Sequence, residues 1–233
     1  MNSSFQNGTV VLVHGAWADG SCWQNIILPL RRHGLKAIAA PIPLTSLTDD
    51  VAALKRVLER TSGPVILVAH AYAGAVIAAA QEERVASLVY IAALAPAEGE
   101  TVADVFYRAE PHPEAPHMAP DAHALIWMPD DGFARAVAHK ASSDQAAILA
   151  AVQRPLALAC IQEKAPAPAW KTKPAWYLVA EEDRMINPAT QRFMAERMNA
   201  CIRSYPVDHS PMYTAPDLVV DVIVEAARGV LPK

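Results

Sequence analysis

The sequence is poor in the residues that mark several common classes of protein. Its 233 residues hold three cysteines, Cys22, Cys160 and Cys201, an odd number without a CxxC pair. That excludes a disulfide framework and points to a reducing compartment. Positive charge is sparse: 20 Lys and Arg against 24 Asp and Glu give a net charge of −4, with no Lys/Arg-rich run. No basic field is present to hold a phosphate backbone, so nucleic acid is excluded as a partner. No run of about 18 apolar residues is free of polar interruption, so no membrane-spanning helix and no membrane partner are expected. The opening MNSSFQNGTV has neither a basic segment nor an apolar stretch. It does not read as a signal peptide, and the chain reads as cytoplasmic with an idle Asn7-Gly8-Thr9 sequon. What the chain has in quantity is apolar side chain, 53% of residues. That suffices for a substantial core in one large domain or two small ones, and disorder is excluded.

Short apolar runs alternate with segments of helical period. Val10–Val13, Leu35–Ala39, Val65–Val68 and Ser87–Leu94 read as strands. Helical patterns separate them: one from Ser21 to about His33, one opened by Thr48-Asp49-Asp50, and an Ala-rich one reaching about Glu83. Strands so uniformly apolar, alternating with helices, indicate an α/β fold with a mostly parallel sheet and helices on both faces. After Ala95 the pattern changes. Two Pro-rich stretches, 111–120 and 165–174, flank helical patterns at Asp131–His139 and Ser143–Gln153. Alternation resumes with a strand at Trp176–Ala180, a helix from about Pro188 to Asn199, a strand at Ile202–Pro206 and a helix from about Ala215 to Arg228. Residues 1–96 and 174–233 thus read as the core and 97–173 as a helical cap inserted over one edge of the sheet.

In open parallel sheets reactive groups gather in loops at the carboxyl ends of the strands. Three such loops stand out: His14-Gly15-Ala16-Trp17, Ala69-His70-Ala71-Tyr72-Ala73-Gly74 and Asp208-His209-Ser210-Pro211. The second has the steric pattern of a nucleophile elbow, a strained strand-to-helix turn that needs small residues two positions either side of its centre. Ala69 and Ala73 meet that need around residue 71. The chemical requirement is not met, because an alanine methyl has no proton to lose and no lone pair with which to attack.

At these residues the chain resembles the α/β-hydrolases of the small-capped esterase type. That group includes bacterial pyrethroid- and salicylate-ester hydrolases and the plant methyl esterases and hydroxynitrile lyases. The resemblance runs from about Thr9 to Val230 through VLVHGAWADGSCW, VILVAHAYAGAV, WYLVAEEDRMINP and DHSPMYTAPDLV, in that order. It implies a serine where Ala71 stands, with His209 as general base and Asp183 as the acid that orients it. It also implies the backbone N–H groups of Ala16 and Tyr72 as oxyanion donors. Glu181 and Glu182 are rivals to Asp183 on sequence alone, and the resemblance favours Asp183.

Other residues have plainer readings. His14 and His70 hold loops by hydrogen bonds. Asp208 adjoins His209, but neighbouring side chains of an extended segment point apart. His112, His117, His123 and His139 show no metal-ligand spacing, and no metal or organic cofactor is expected. Cys22 packs as a small residue rather than replacing the hydroxyl. Trp17, Trp127, Met128 and Tyr213, with Phe106, Phe133 and Met212, are candidates to line an apolar substrate pocket under the cap. The function implied is hydrolysis of an uncharged, partly hydrophobic carboxylic ester through an acyl-enzyme, in a form inactivated by alanine at position 71. Two other readings remain: a pseudoenzyme that binds a ligand, and a lyase or cyclase that uses the His209 base without covalent chemistry. The sequence leaves the oligomeric state open.

Overall fold

The structure, a computed structural model, describes Phe5 and residues 8–231. Asn7 of the sequon and residues 1–4 of the opening segment lie outside them. In chain order the elements are β1 (Thr9–Val13), α1 (Gln24–Arg32), β2 (Lys36–Ala40), α2 (Leu47–Glu59), β3 (Val65–His70), α3 (Ala73–Ala79) and β4 (Val85–Ile91). The chain then leaves the sheet for α4 (Val102–Phe106), β5 (Leu125–Ile126), α5 (Asp130–Gly132), α6 (Ser143–Ala151), β6 (Leu156–Ala157) and α7 (Ala159–Gln162). It returns through β7 (Ala175–Ala180), α8 (Pro188–Arg197), β8 (Cys201–Tyr205), α9 (Pro211–Thr214) and α10 (Pro216–Val230).

Six of these strands form one sheet in the order β2-β1-β3-β4-β7-β8, every pairing parallel. Successive side chains of a strand point to opposite faces. Val11 and Val13 of β1 join Leu67 and Tyr90 in the apolar layer that α2 and α3 share. Val10 and Leu12 join Ile66, Val68 and Val89 in the layer under α1 and α10. The expected α/β sheet with helices on both faces is therefore the observed one. The remaining β5 and β6 form a two-residue antiparallel ribbon.

Local differences have local causes. The helix expected from Ser21 begins as a 3₁₀ turn, Gly20–Trp23, because Asp19 rather than Ser21 accepts the first free N–H. The Ala-rich helix stops at Ala79, short of Glu83. The pattern at Asp131–His139 becomes α5 followed by a π-helical turn at Phe133–Val137.

The chain runs from β1 outward to β2, then crosses back to β3 on the other side of β1. That reversal opens a crevice between the carboxyl ends of β1 and β3, the usual place for a ligand in such sheets. Register sets Val13 beside Ala69, so the loops after these two strands meet directly. Backbone strain collects at the same end. Trp17, Leu44, Ala71 and Ala92, which follow β1 to β4 in turn, all hold positive φ, between 44° and 63°. Each such non-glycine residue costs roughly 1–3 kcal/mol, and such strain clusters at functional sites.

Gly74 in the first turn of α3 shows how tightly this end is packed. A Cβ there would lie 2.2 Å from the carbonyl oxygen of Leu94 and 3.1 Å from the Cβ of Ala93. Intrinsic helix propensity would make Gly74→Ala stabilising by up to about 1 kcal/mol. Overpacking against rigid backbone reverses the sign, and urea denaturation is expected to show a loss of about 2–3 kcal/mol. A gain in stability would contradict this close approach.

Candidate active site

The HAYAG segment turns sharply after β3. Ala71 sits at φ 49°, and its carbonyl accepts from the N–H of Leu94 at 2.9 Å and of Gly74 at 3.1 Å. Those bonds tie the bend to the strand end of β4 and to α3, which is what holds an alanine in the left-handed region. The HGAW loop crosses directly above: a Cβ on Gly15 would lie 3.0 Å from both the Ala71 methyl and the His70 carbonyl oxygen. A larger residue at 15 would push the two loops apart by a few tenths of an ångström. The N–H groups of Ala16 and Tyr72 flank this contact and donate to no acceptor among the described residues.

The third loop brings an imidazole to the same place. His209 Nδ1 lies 2.7 Å from Asp183 Oδ2. A carboxylate can only accept, so Nδ1 carries the hydrogen and the lone pair of the neutral ring lies on Nε2. Asp183 is held in turn by the N–H groups of Met185 (2.7 Å) and Ile186 (2.9 Å). The Gln191 amide donates to the same Oδ2 that faces His209, at 2.7 Å, while accepting from Ala180 N–H at 3.0 Å. Gln191 lies on α8, and nothing in its local sequence signals this role; it is found only in the folded chain. The rivals point elsewhere: Glu181 pairs with Arg192, and Glu182 with Lys140 at 2.8 Å. Asp208 instead accepts from Thr214 Oγ1 (2.6 Å) and Lys140 N–H (3.0 Å), fixing its own turn.

His14 and His70 are structural by geometry. His14 donates from Nδ1 to the Gly15 carbonyl (3.0 Å) and accepts from Ile42 N–H at Nε2 (3.4 Å). His70 donates from Nε2 to the carbonyl of His209 at 2.7 Å. Burial holds both rings below the ordinary histidine pKa, His70 well below. Each stays neutral in the fold yet gains a proton when unfolded, so the fold binds fewer protons as pH falls. Stability is then full above the unfolded pKa of about 6.5 and lost below it, at up to about 1.4 kcal/mol per pH unit for each ring. Chemical denaturation at pH 7.5 and pH 5.5 checks this: stability should drop, and His70→Asn should flatten the drop. An unchanged slope in that variant would remove His70 from the account.

A cavity of about 310 Å³ opens over Ala71 and His209. Trp17, Tyr72, Phe106, Ile126 and Met185 are among its walls, so the segment between β4 and β7 and the loops of the sheet both contribute. A second hollow of about 30 Å³ adjoins it, sharing Ala16, Trp17, Ala71 and His209 and adding Phe133, Met212 and Tyr213. Two expected pocket residues belong to neither. Trp127 is 47% exposed, its indole bonded to Asp121 at 3.2 Å. Met128 is buried against Gly132 and Phe133 inside the inserted segment. They follow β5, which ends at Ile126: Ile126 reaches the cavity, Trp127 turns to solvent and Met128 packs into the cluster with Phe133 and Ala136. Trp17 reaches across instead, donating to the Ile126 carbonyl at 2.9 Å.

Beneath Tyr72 lies a polar cluster that no local motif signalled. Asp50, fully buried on α2, accepts from Tyr72 OH (2.7 Å) and from Leu44 N–H (2.7 Å), with the Cys160 thiol at 3.7 Å. Burial raises the Asp50 carboxyl above its ordinary range and pushes the Cys160 thiol up to about 12. Leu44 also accepts from Ala157 N–H of β6 at 3.0 Å. One carboxylate thus joins the elbow, the loop after β2 and the inserted ribbon. Among the described residues no lysine lines either cavity, no group of acidic, histidine or cysteine side chains is arranged to hold a metal, and no helix is long and apolar enough to cross a membrane.

Comparison with known proteins places this arrangement. A pyrethroid hydrolase from Sphingobium wenxiniae is 24% identical over 94% of this chain and 87% of its own. The crystal structure of polyneuridine aldehyde esterase superposes with a TM-score of 0.82 at 17% identity, covering 94% of this chain and 99% of that one. That of the pyrethroid hydrolase PytH gives 0.80 at 20% identity, covering 96% and 98%. Residues 10–222 match the model of the alpha/beta hydrolase family. With the loops after β1, β3 and β8 meeting at one strained bend, this chain belongs to the alpha/beta hydrolase family.

Proposed function

We propose that this chain is a carboxylic-ester hydrolase of the serine type whose nucleophile position holds Ala71, so that it binds an ester but forms no acyl-enzyme. The observation that carries the reading is the His209–Asp183 pair, 2.7 Å apart and buried, at a cavity floor formed by the strained Ala71. In this reading His209 is the general base and Asp183 stabilises the imidazolium. The unpartnered N–H groups of Ala16 and Tyr72 receive the oxyanion. Residues 97–173 act as the cap, supplying Phe106 and Ile126 to the pocket wall. The mainly apolar walls favour an uncharged, partly hydrophobic ester. The names of the similar proteins, pyrethroid hydrolase and polyneuridine aldehyde esterase, support an ester substrate. The lyase or cyclase alternative would use the same His209 base, and is separated from this reading by activity that depends on His209 but does not change upon Ala71→Ser. The reading is tested by restoring a hydroxyl: Ala71→Ser should cleave p-nitrophenyl esters rapidly. A folded serine form that stays inert would overturn it.

A further inference from the structure

A small hollow adjoins the substrate cavity at Ala71. Its volume of about 30 Å³ is too little for a substrate group but ample for a water molecule, which needs roughly 10–15 Å³ of such space. It shares Ala71 and His209 with the substrate cavity and adds the polar residues Ser210 and His70. The base at its edge is not idle by construction. Asp183 fixes Nδ1 of His209, and Nε2 has no hydrogen-bond partner among the described residues. The N–H groups of Ala16 and Tyr72 are likewise unengaged. Every element that handles charge in ester cleavage is therefore in place, and only the attacking oxygen is not part of the protein.

We infer that the chain hydrolyses activated esters slowly by direct attack of a water molecule held in this hollow, with His209 as general base and no covalent intermediate. The inference rests on the ester-site reading above. The water oxygen bonds to the carbonyl carbon as its proton passes to His209 Nε2. The carbonyl electron pair moves onto the oxygen held by the Ala16 and Tyr72 N–H groups. The bond to the alcohol oxygen then breaks, and the imidazolium returns its proton to the leaving alkoxide. A carboxylic acid and an alcohol depart, and His209 is neutral again. The side-chain rivals are poor. Cys22 lines the hollow, but burial pushes its thiol pKa well up and keeps it protonated. The Ser210 hydroxyl makes no hydrogen bond to His209 among the described residues; the His209 imidazole is bonded to Asp183 instead.

The probe is p-nitrophenyl butyrate. The unmodified chain should release p-nitrophenol without a burst, and intact mass after quenching should show no acyl adduct. His209→Ala should lower this turnover by on the order of 10²–10⁴, the range of one general base. Val137→Phe, which fills the hollow, should lower it at least about tenfold; Ala18→Leu fills the same space from another wall should the first variant not fold. In the Ala71→Ser form the same filling should leave the initial burst and slow only the phase after it. Turnover unchanged by His209→Ala, or an acyl adduct on Ser210 or Cys22, would overturn the inference. A serine form that bursts beside an unmodified chain with no His209-dependent turnover also overturns it, while leaving the ester-site reading standing. A serine form inert as well would remove both.

Discussion

Ala71→Ser is expected to raise kcat for p-nitrophenyl esters by on the order of 10⁴–10⁶, the loss that removal of one member of a triad acting as a unit inflicts. The structure makes this gain accessible to a single substitution. The bend at residue 71 already holds its left-handed φ, so the serine needs no backbone change. Both cavities adjoin the methyl, so an added hydroxyl meets open space and not packed core. His209 Nε2 is free to accept its hydrogen. Stopped-flow measurement should show a burst of one p-nitrophenol per chain, the signature of acyl-enzyme formation. A rise below about tenfold with the fold intact would show that base and bend are not aligned.

Asp183→Asn in that serine background should cost about 10⁴ in kcat. The carboxylate accepts four hydrogen bonds, from His209, Met185, Ile186 and Gln191. An amide oxygen can serve the two backbone donors, which leaves the NH₂ group facing His209 and Gln191. Against an NH₂ donor the His209 ring must accept at Nδ1, which moves its hydrogen to Nε2 and removes the base. Gln191 meets donor with donor, an unsatisfied buried contact worth roughly 1–3 kcal/mol of stability. The thermal midpoint should fall with kcat, whereas KM should move less because Asp183 is not itself among the residues that line the cavity. A loss under about tenfold would assign the orienting role to another group.

Several features were readable without coordinates because each is written in a short window. Strands such as Val65–His70 are apolar from Val65 to Ala69, and such runs fit a sheet covered on both faces. The small residues at 69, 73 and 74 announce the tight bend, because a backbone approach of 2.2 Å at a Cβ position permits nothing larger at 74. The motif order likewise placed Asp183 and His209 in loops after strands.

Other features depend on residues far apart in the chain, and no window contains them. Trp127 and Trp17 are equally apolar on paper; the tertiary path turns one to solvent and lays the other across the site, bonded to Ile126. Gln191 became the support of Asp183 only when α8 packed on β7, and Asp50 met Tyr72 only when α2 packed beside α3. Periodicity, turn chemistry and steric limits act between near neighbours, so the sequence by itself determined the layered fold, the bend and the order of its loops. Which side chains share the cavity, and which carboxylates are buried beneath it, is decided by packing among distant segments, and that belongs to the tertiary structure alone.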